Sequence, residues 1–234
     1  MCIHLRRELE KLKRRILQLS SEVEEDVYRA VQALDTRNQA MAEEVIAREQ
    51  QTNIMEVEVE EECLKLLALY QPVAADLRYI IAVLKINQDL ERIGDLAVHI
   101  AECSLELCRQ PEPETPIRLS DMANKTQLML KKVLDAFVNQ DKAAAHEVCI
   151  TDHVVDNMKN EIFRQAKIAI RKNPEQCDTF IEIMNVARHL ERIADHATNI
   201  AEDLIYLIAG RIVRHTPEVS DKMYEGYRGD MSLT

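Results

Sequence analysis

Residues 90–102 read Leu90-Glu91-Arg92-Ile93-Gly94-Asp95-Leu96-Ala97-Val98-His99-Ile100-Ala101-Glu102. Residues 190–202 read Leu190-Glu191-Arg192-Ile193-Ala194-Asp195-His196-Ala197-Thr198-Asn199-Ile200-Ala201-Glu202. Nine of the thirteen positions are identical, one hundred residues apart. Chance explains this poorly, and duplication of one structural unit explains it well. Within each copy the apolar residues recur at steps of three and four: Leu90, Ile93, Ala97 and Ile100, then Leu190, Ile193, Ala197 and Ile200. That spacing is one buried face of an α-helix.

The same periodicity extends outward in both directions. A first helix is expected from about His4 to Leu34, with Leu5, Leu9, Leu12, Ile16, Leu19, Val23, Val27, Ala30 and Leu34 inside. Asp35-Thr36-Arg37-Asn38 reads as a turn, and a second helix runs from Gln39 to Tyr70, where Pro72 ends or kinks it. The third runs from Ala74 to Cys108. Gln110-Pro111-Glu112-Pro113-Glu114-Thr115-Pro116 holds three prolines and reads as a linker. Three more helices follow, at about Leu119–Asn139, Lys142–Lys172 and Glu175–Ile212, the last two separated by Asn173-Pro174. Long helices on short turns pack antiparallel. The expected fold is all-α: two tandem antiparallel three-helix bundles, six long helices in all. The first bundle takes residues 1–110, a Pro-rich linker 111–117, the second bundle 118–213, and a loose tail 214–234.

Composition agrees and narrows the function. Four Gly, six Pro and no Trp in 234 residues are too few turn formers for a β-rich chain. A formal charge of −11 repels phosphate backbones, so nucleic-acid binding is not expected. The basic cluster Arg6, Arg7, Lys11, Lys13, Arg14 and Arg15 is interleaved with Glu8 and Glu10, as on a solvated helix face. The six cysteines form no C-x-x-C pair and read as reduced thiols among apolar neighbours. The N-terminal residues lack the apolar stretch of a signal peptide, and no long uncharged apolar run suits a membrane span. A cytoplasmic location is expected.

The repeated helix also carries a polar ladder at steps of four: Glu91, Asp95 and His99 in the first copy, Glu191, Asp195 and Asn199 in the second. Preceding helices carry Asp152 with Asp156, and Glu49 with Asn53. The latter pair is matched through Asn53-Ile54-Met55-Glu56 against Asp156-Asn157-Met158-Lys159. If the helix pairs pack antiparallel, each half offers four or five oxygen and nitrogen donors in one patch. Such sets suit Fe, Mn, Zn, Mg or Ca. Solvated carboxylates partnered by Arg92 or Arg188 are the competing reading. Like charges one turn apart are mildly unfavourable, and a surface face has no evident reason to repeat them in both halves. No Glu-x-x-His pair, phosphate loop, dinucleotide fingerprint, nucleophile elbow or H-E-x-x-H occurs. His4, His146, His153 and His215 stand alone, while His189 and His196 flank the second ladder.

Three segments carry a family resemblance: Gln71-Pro72-Val73-Ala74-Ala75-Asp76-Leu77-Arg78, the stretch from Leu90 to Asp95, and the stretch from Ala187 to Glu202. With them the chain resembles the PhoU family from residue 1 to about 213. The resemblance implies tandem three-helix bundles, assembled as homodimers. It implies a cytoplasmic regulator between the PstB-type ATPase subunit of the Pst phosphate transporter and a PhoR-type histidine kinase, damping the response when phosphate is plentiful. Membrane association would come only through those partners. Some members bind multinuclear iron or other metal clusters through E(D)xxxD motifs. These correspond to Asp152 with Asp156, Glu191 with Asp195 and Asn199, and Glu91 with Asp95. The chain departs from the pattern at Asn53, where Asp is common, and at His99, where Asn is usual. A regulator without catalytic turnover is expected. The alternatives are a metal-dependent phosphohydrolase or metal store, and a plain scaffold whose ladders only solvate.

Overall fold

Every expected breaker separates two helices. A computed structural model describes residues 3–113 and 115–210, so the tail expected at 214–234 lies outside the described residues. The helices are α1 (Ile3–Thr36), α2 (Gln39–Tyr70), α3 (Ala74–Arg109), α4 (Ser120–Asn139), α5 (Lys142–Lys172) and α6 (Cys177–Ala209). Side-chain caps start two of them. Asn38 accepts from the Met41 N–H, and Asp141 accepts from the Ala143 and Ala144 N–H groups. Residues of positive φ end four: Arg37 after α1, Gln71 after α2, Gln140 after α4 and Gly210 after α6.

Two boundaries differ from expectation: α1 runs on through Asp35 and Thr36, which were expected as turn, and α6 starts late. The last helix begins at Cys177, not Glu175, because Pro174 opens a single 3-10 turn closed by Gln176 N–H to Asn173 C=O. At the other end Gly210 turns left-handed at φ +66° after Ala209 and its N–H caps back onto Tyr206 C=O, while the expected end at Ile212 lies outside the described residues.

Helices α1, α2 and α3 pack on one another, as do α4, α5 and α6. In α1 the stripe Leu12, Ile16, Leu19, Val23, Val27 and Ala30 is buried, with Leu9 and Leu34 at its edge. Burial of such stripes drives the assembly. The halves also join. Helix α3 packs against α6 and α1 against α4, and the buried apolar residues form one continuous cluster. Among the described residues no helix is long and apolar enough to cross a membrane. Cys63, Cys103, Cys108, Cys149 and Cys177 are free thiols.

Along the α3–α6 seam the helices run antiparallel. Lys85 Nζ donates to Asp203 Oδ1 at 3.1 Å, His196 Nδ1 lies 2.8 Å from Asp89 Oδ1, and the His99 and His189 rings stack. These contacts obey the repeat. Residue 89 meets 199, and one hundred residues on, 189 meets 99.

Candidate functional site

Helices α5 and α6 bring four carboxylates together: Asp152 and Asp156 from α5, Glu191 and Asp195 from α6. Their mutual field is visible in their protonation. Burial, followed by the charges of Glu191, Asp152 and Asp156, pushes Asp195 from 3.8 to about 6. Burial and Asp156 likewise raise Asp152. Lys159, one turn after Asp156, sits within the cluster. Its Nζ donates to Glu191 Oε1 at 2.5 Å and lies 3.4 Å from Asp156 Oδ1. Lys159, with His153 beside Asp152 and His196 beside Asp195, faces four carboxylates, and both aspartates are still raised.

Asn199 is not part of that cluster. It crosses the seam and its Nδ2 donates to Asp89 Oδ1 at 3.3 Å. His99 likewise leaves the first ladder and stacks on His189, with ring centroids 5.2 Å apart. The cause is helical geometry. Each four-residue step overshoots one turn by about 40°, so a third rung lies about 80° round from the first. In the second half rungs one and two face α5 of the same bundle, and in both halves rung three faces the other repeat.

The first half gathers fewer of its expected donors. Arg92 pairs with Glu91 at 3.2 Å and with Asp95 at 3.5 Å. Burial, then Asp95, raises the Glu91 pKa. Glu49 and Asn53 open onto a shallow groove with Gln50, Ile54, Val57 and Glu58, all from α2. Among the described residues no hydrogen bond or ion pair joins them to Glu91, Asp95 or His99. Glu56 takes a place beside Glu91 instead. Its Oε1 accepts from Asn87 Nδ2 at 2.7 Å, and burial, Glu60 and Glu91 raise its pKa. Sequence reasoning passed over Glu56 and Lys159, although the Asn53/Asp156 alignment already paired the two positions. The repeat therefore holds a carboxylate on one side and an ammonium on the other.

His196 links the two acidic patches. Bound to Asp89, it moderates the raised pKa of both Glu91 and Asp195. As the side chains stand, no three His, Cys, Asp or Glu groups among the described residues converge to hold a metal ion. The α5–α6 donor set nevertheless suits a hard or borderline cation: four oxygen donors, mutually repelling, with an ammonium already drawn between two of them.

The duplicated architecture has a known counterpart. The family model described as "PhoU domain" matches twice, at residues 16–104 and 119–204. The chain belongs to the PhoU family. A phosphate-specific transport system accessory protein PhoU homologue from Pseudomonas aeruginosa is 37% identical over 209 residues, covering 89% of this chain and 86% of that protein. One from Clostridium acetobutylicum is 34% identical, covering 88% and 94%. The crystal structure of PhoU from Pseudomonas aeruginosa superposes with a TM-score of 0.86 at 36% identity, over 88% of this chain and 99% of that one. The phosphate transport system regulatory protein PhoU from Streptococcus pneumoniae gives 0.81 at 29%, over 89% and 99%. The PhoU relatives are named as accessory and regulatory proteins, not as enzymes.

Proposed function

We propose that this chain regulates phosphate uptake and phosphate-starvation signalling. It acts without turnover, as a cytoplasmic adaptor between the PstB-type ATPase subunit of a phosphate transporter and a PhoR-type histidine kinase. It lowers signalling when phosphate is plentiful and works as a homodimer. The observation that carries the reading is likeness over both repeats, to relatives named for phosphate-specific transport, across nearly nine-tenths of the chain. The sequence carries no nucleophile or cofactor motif, which fits a protein whose output is contact.

Asp152, Asp156, Glu191 and Asp195 are the residues proposed to hold a divalent metal, with Fe, Zn or Mn favoured and Mg or Ca also matched to oxygen donors. The ion would supply positive charge where Lys159, His153 and His196 still leave Asp152 and Asp195 raised. Glu91 and Asp95 form a second, smaller candidate of two carboxylates, which Arg92 already bridges.

Elemental analysis of purified wild type beside Asp156→Ala/Asp195→Ala tests the metal reading. Near-stoichiometric Fe, Zn or Mn that falls in the variant is expected. Wild type that stays metal-free after incubation with each ion would remove the site. Co-purification with the transporter ATPase subunit and with the kinase tests the adaptor reading separately, and failure to retain either partner would overturn it.

A further inference from the structure

Helices α2 and α5 hold equivalent places in the two repeats, and their buried faces match position for position. The buried residues of α2 are Ala42, Val45, Thr52, Val59, Cys63 and Leu66. Those of α5 are Ala145, Val148, Val155, Ile162, Ala166 and Ala169, each 103 residues on. The outer faces do not match. Helix α2 places Ile54, Val57 and Leu64 in solvent at 47%, 48% and 54% exposure, and Ala68 is exposed in line with them. Steps of three and four put this stripe on one side, opposite the buried one. At the equivalent positions α5 carries Asn157, Asn160, Lys167 and Arg171, all exposed. The fold therefore does not require apolar side chains here. A second apolar stripe along about 20 Å of one helix marks a face that another element covers.

Charge says what covers it. Helix α2 holds eight Glu against Arg48 and Lys65. Glu58, Glu60 and Glu61 are exposed within or beside the stripe. Glu58 is bound to Arg15 at 2.6 Å and Lys65 to Glu62 at 3.2 Å, while among the described residues no ion pair engages Glu60 or Glu61. A second copy laying its own α2 here would set acid against acid. Its α5 is more basic, but offers Asn157, Asn160 and Lys167 where helix packing needs apolar side chains. Such an unlike contact would also propagate as an open chain instead of closing as a dimer. A helix that is apolar on one side and basic along its edges answers both the stripe and its charge.

We propose that the outer face of α2 is the docking surface for a basic amphipathic helix of the transporter's ATPase subunit. The identity of that partner rests on the adaptor reading, and relatives named for phosphate-specific transport favour it over the kinase. The chemistry of the surface stands on α2 itself.

The test has two arms, both with the full-length protein. In the first, a labelled synthetic amphipathic helix of Leu and Lys is followed by fluorescence anisotropy, with a Leu and Glu counterpart as control. The Lys peptide should bind and the Glu peptide should not. Ile54→Asn/Val57→Asn copies Asn157 and Asn160, changes no charge, and should weaken the Lys peptide at least about tenfold. Val154→Asn/Ile168→Asn removes exposed apolar surface from α5 instead and should change nothing. Equal affinity in wild type and the α2 variant, or an equal loss from the α5 variant, would overturn the surface. So would sedimentation in which wild type self-associates and the α2 variant does not. In the second arm, the α2 variant should lose retention of the ATPase subunit and keep that of the kinase. Retention of the ATPase subunit by the variant, or loss of the kinase alone, would overturn the named partner. Wild type that retains neither protein sinks the adaptor reading, and the peptide arm then decides the surface by itself.

Discussion

Asp195→Asn should stabilise the metal-free protein, although it removes a charged residue from the most polar part of the molecule. Asp195 rises from 3.8 to about 6 because burial and three nearby carboxylates disfavour its charge. At 1.36 kcal/mol per pH unit that is about 3 kcal/mol. The side chain is open to solvent on one side, so screening leaves about 1 kcal/mol. The sign follows from linkage. The folded state holds the proton more tightly than the unfolded state, so wild-type stability falls as pH rises from 3.8 to about 6. The penalty is complete above that range and absent below it. Asparagine keeps the shape and cannot ionise. With a chelator present, urea unfolding followed by circular dichroism should show a gain of about 1 kcal/mol near neutral pH, or about 2–4 °C in Tm. The gain should vanish as pH falls below the unfolded value. Loss of stability at neutral pH, or an equal gain at both pH values, would refute the like-charge account. Added Zn2+ or Mn2+ should reverse the ranking, because only wild type retains the proposed ligand.

Three further outcomes are expected. Gly94→Ala should stabilise by about 1 kcal/mol through helix propensity. A Cβ there would meet Thr52 Cγ2 at an ordinary 3.5 Å, and Ala194 fills the equivalent position fully buried. A lower Tm would show that α2 and α3 cannot accept the methyl. Arg48→Met should cost about 3 kcal/mol near neutral pH, because it strands the buried Asp26 carboxylate. Asp26 now accepts from Arg48 Nε at 2.6 Å and Thr52 Oγ1 at 3.3 Å. Burial raises the Asp26 pKa, so the loss should shrink in acid, and a pH-independent loss would assign it to packing instead. Gln140→Gly should gain about 0.5 kcal/mol by relieving left-handed backbone at φ +53°, measured as a rise in Tm.

The helices themselves were legible residue by residue. Asn38 and Asp141 cap where their side chains can reach the next N–H groups, and Pro72 and Pro174 interrupt where a backbone donor is missing. The repeat announced that the third helix of each half carries the same polar rungs. The first two rungs did meet a neighbouring helix in the second half, where Asp152, Asp156, Glu191 and Asp195 share one field. The third rung did not follow. Spacing of four suggests one face, yet the accumulated rotation of about 80° carries His99 and Asn199 to another surface. Reading Glu56 and Lys159 as alignment markers hid their place among the carboxylates.

By itself the sequence determined helix positions, the duplication, the buried stripes and the two chemical departures at Asn53 and His99. Those features depend on neighbours within a few residues, or on identity between copies. Only the tertiary structure decided that α3 and α6 form a shared seam, that Lys159 enters the acidic cluster, and that His99 meets His189. Those outcomes depend on how two helix surfaces far apart in the chain settle against each other. Their side chains must satisfy packing and charge together, and no local period encodes that result.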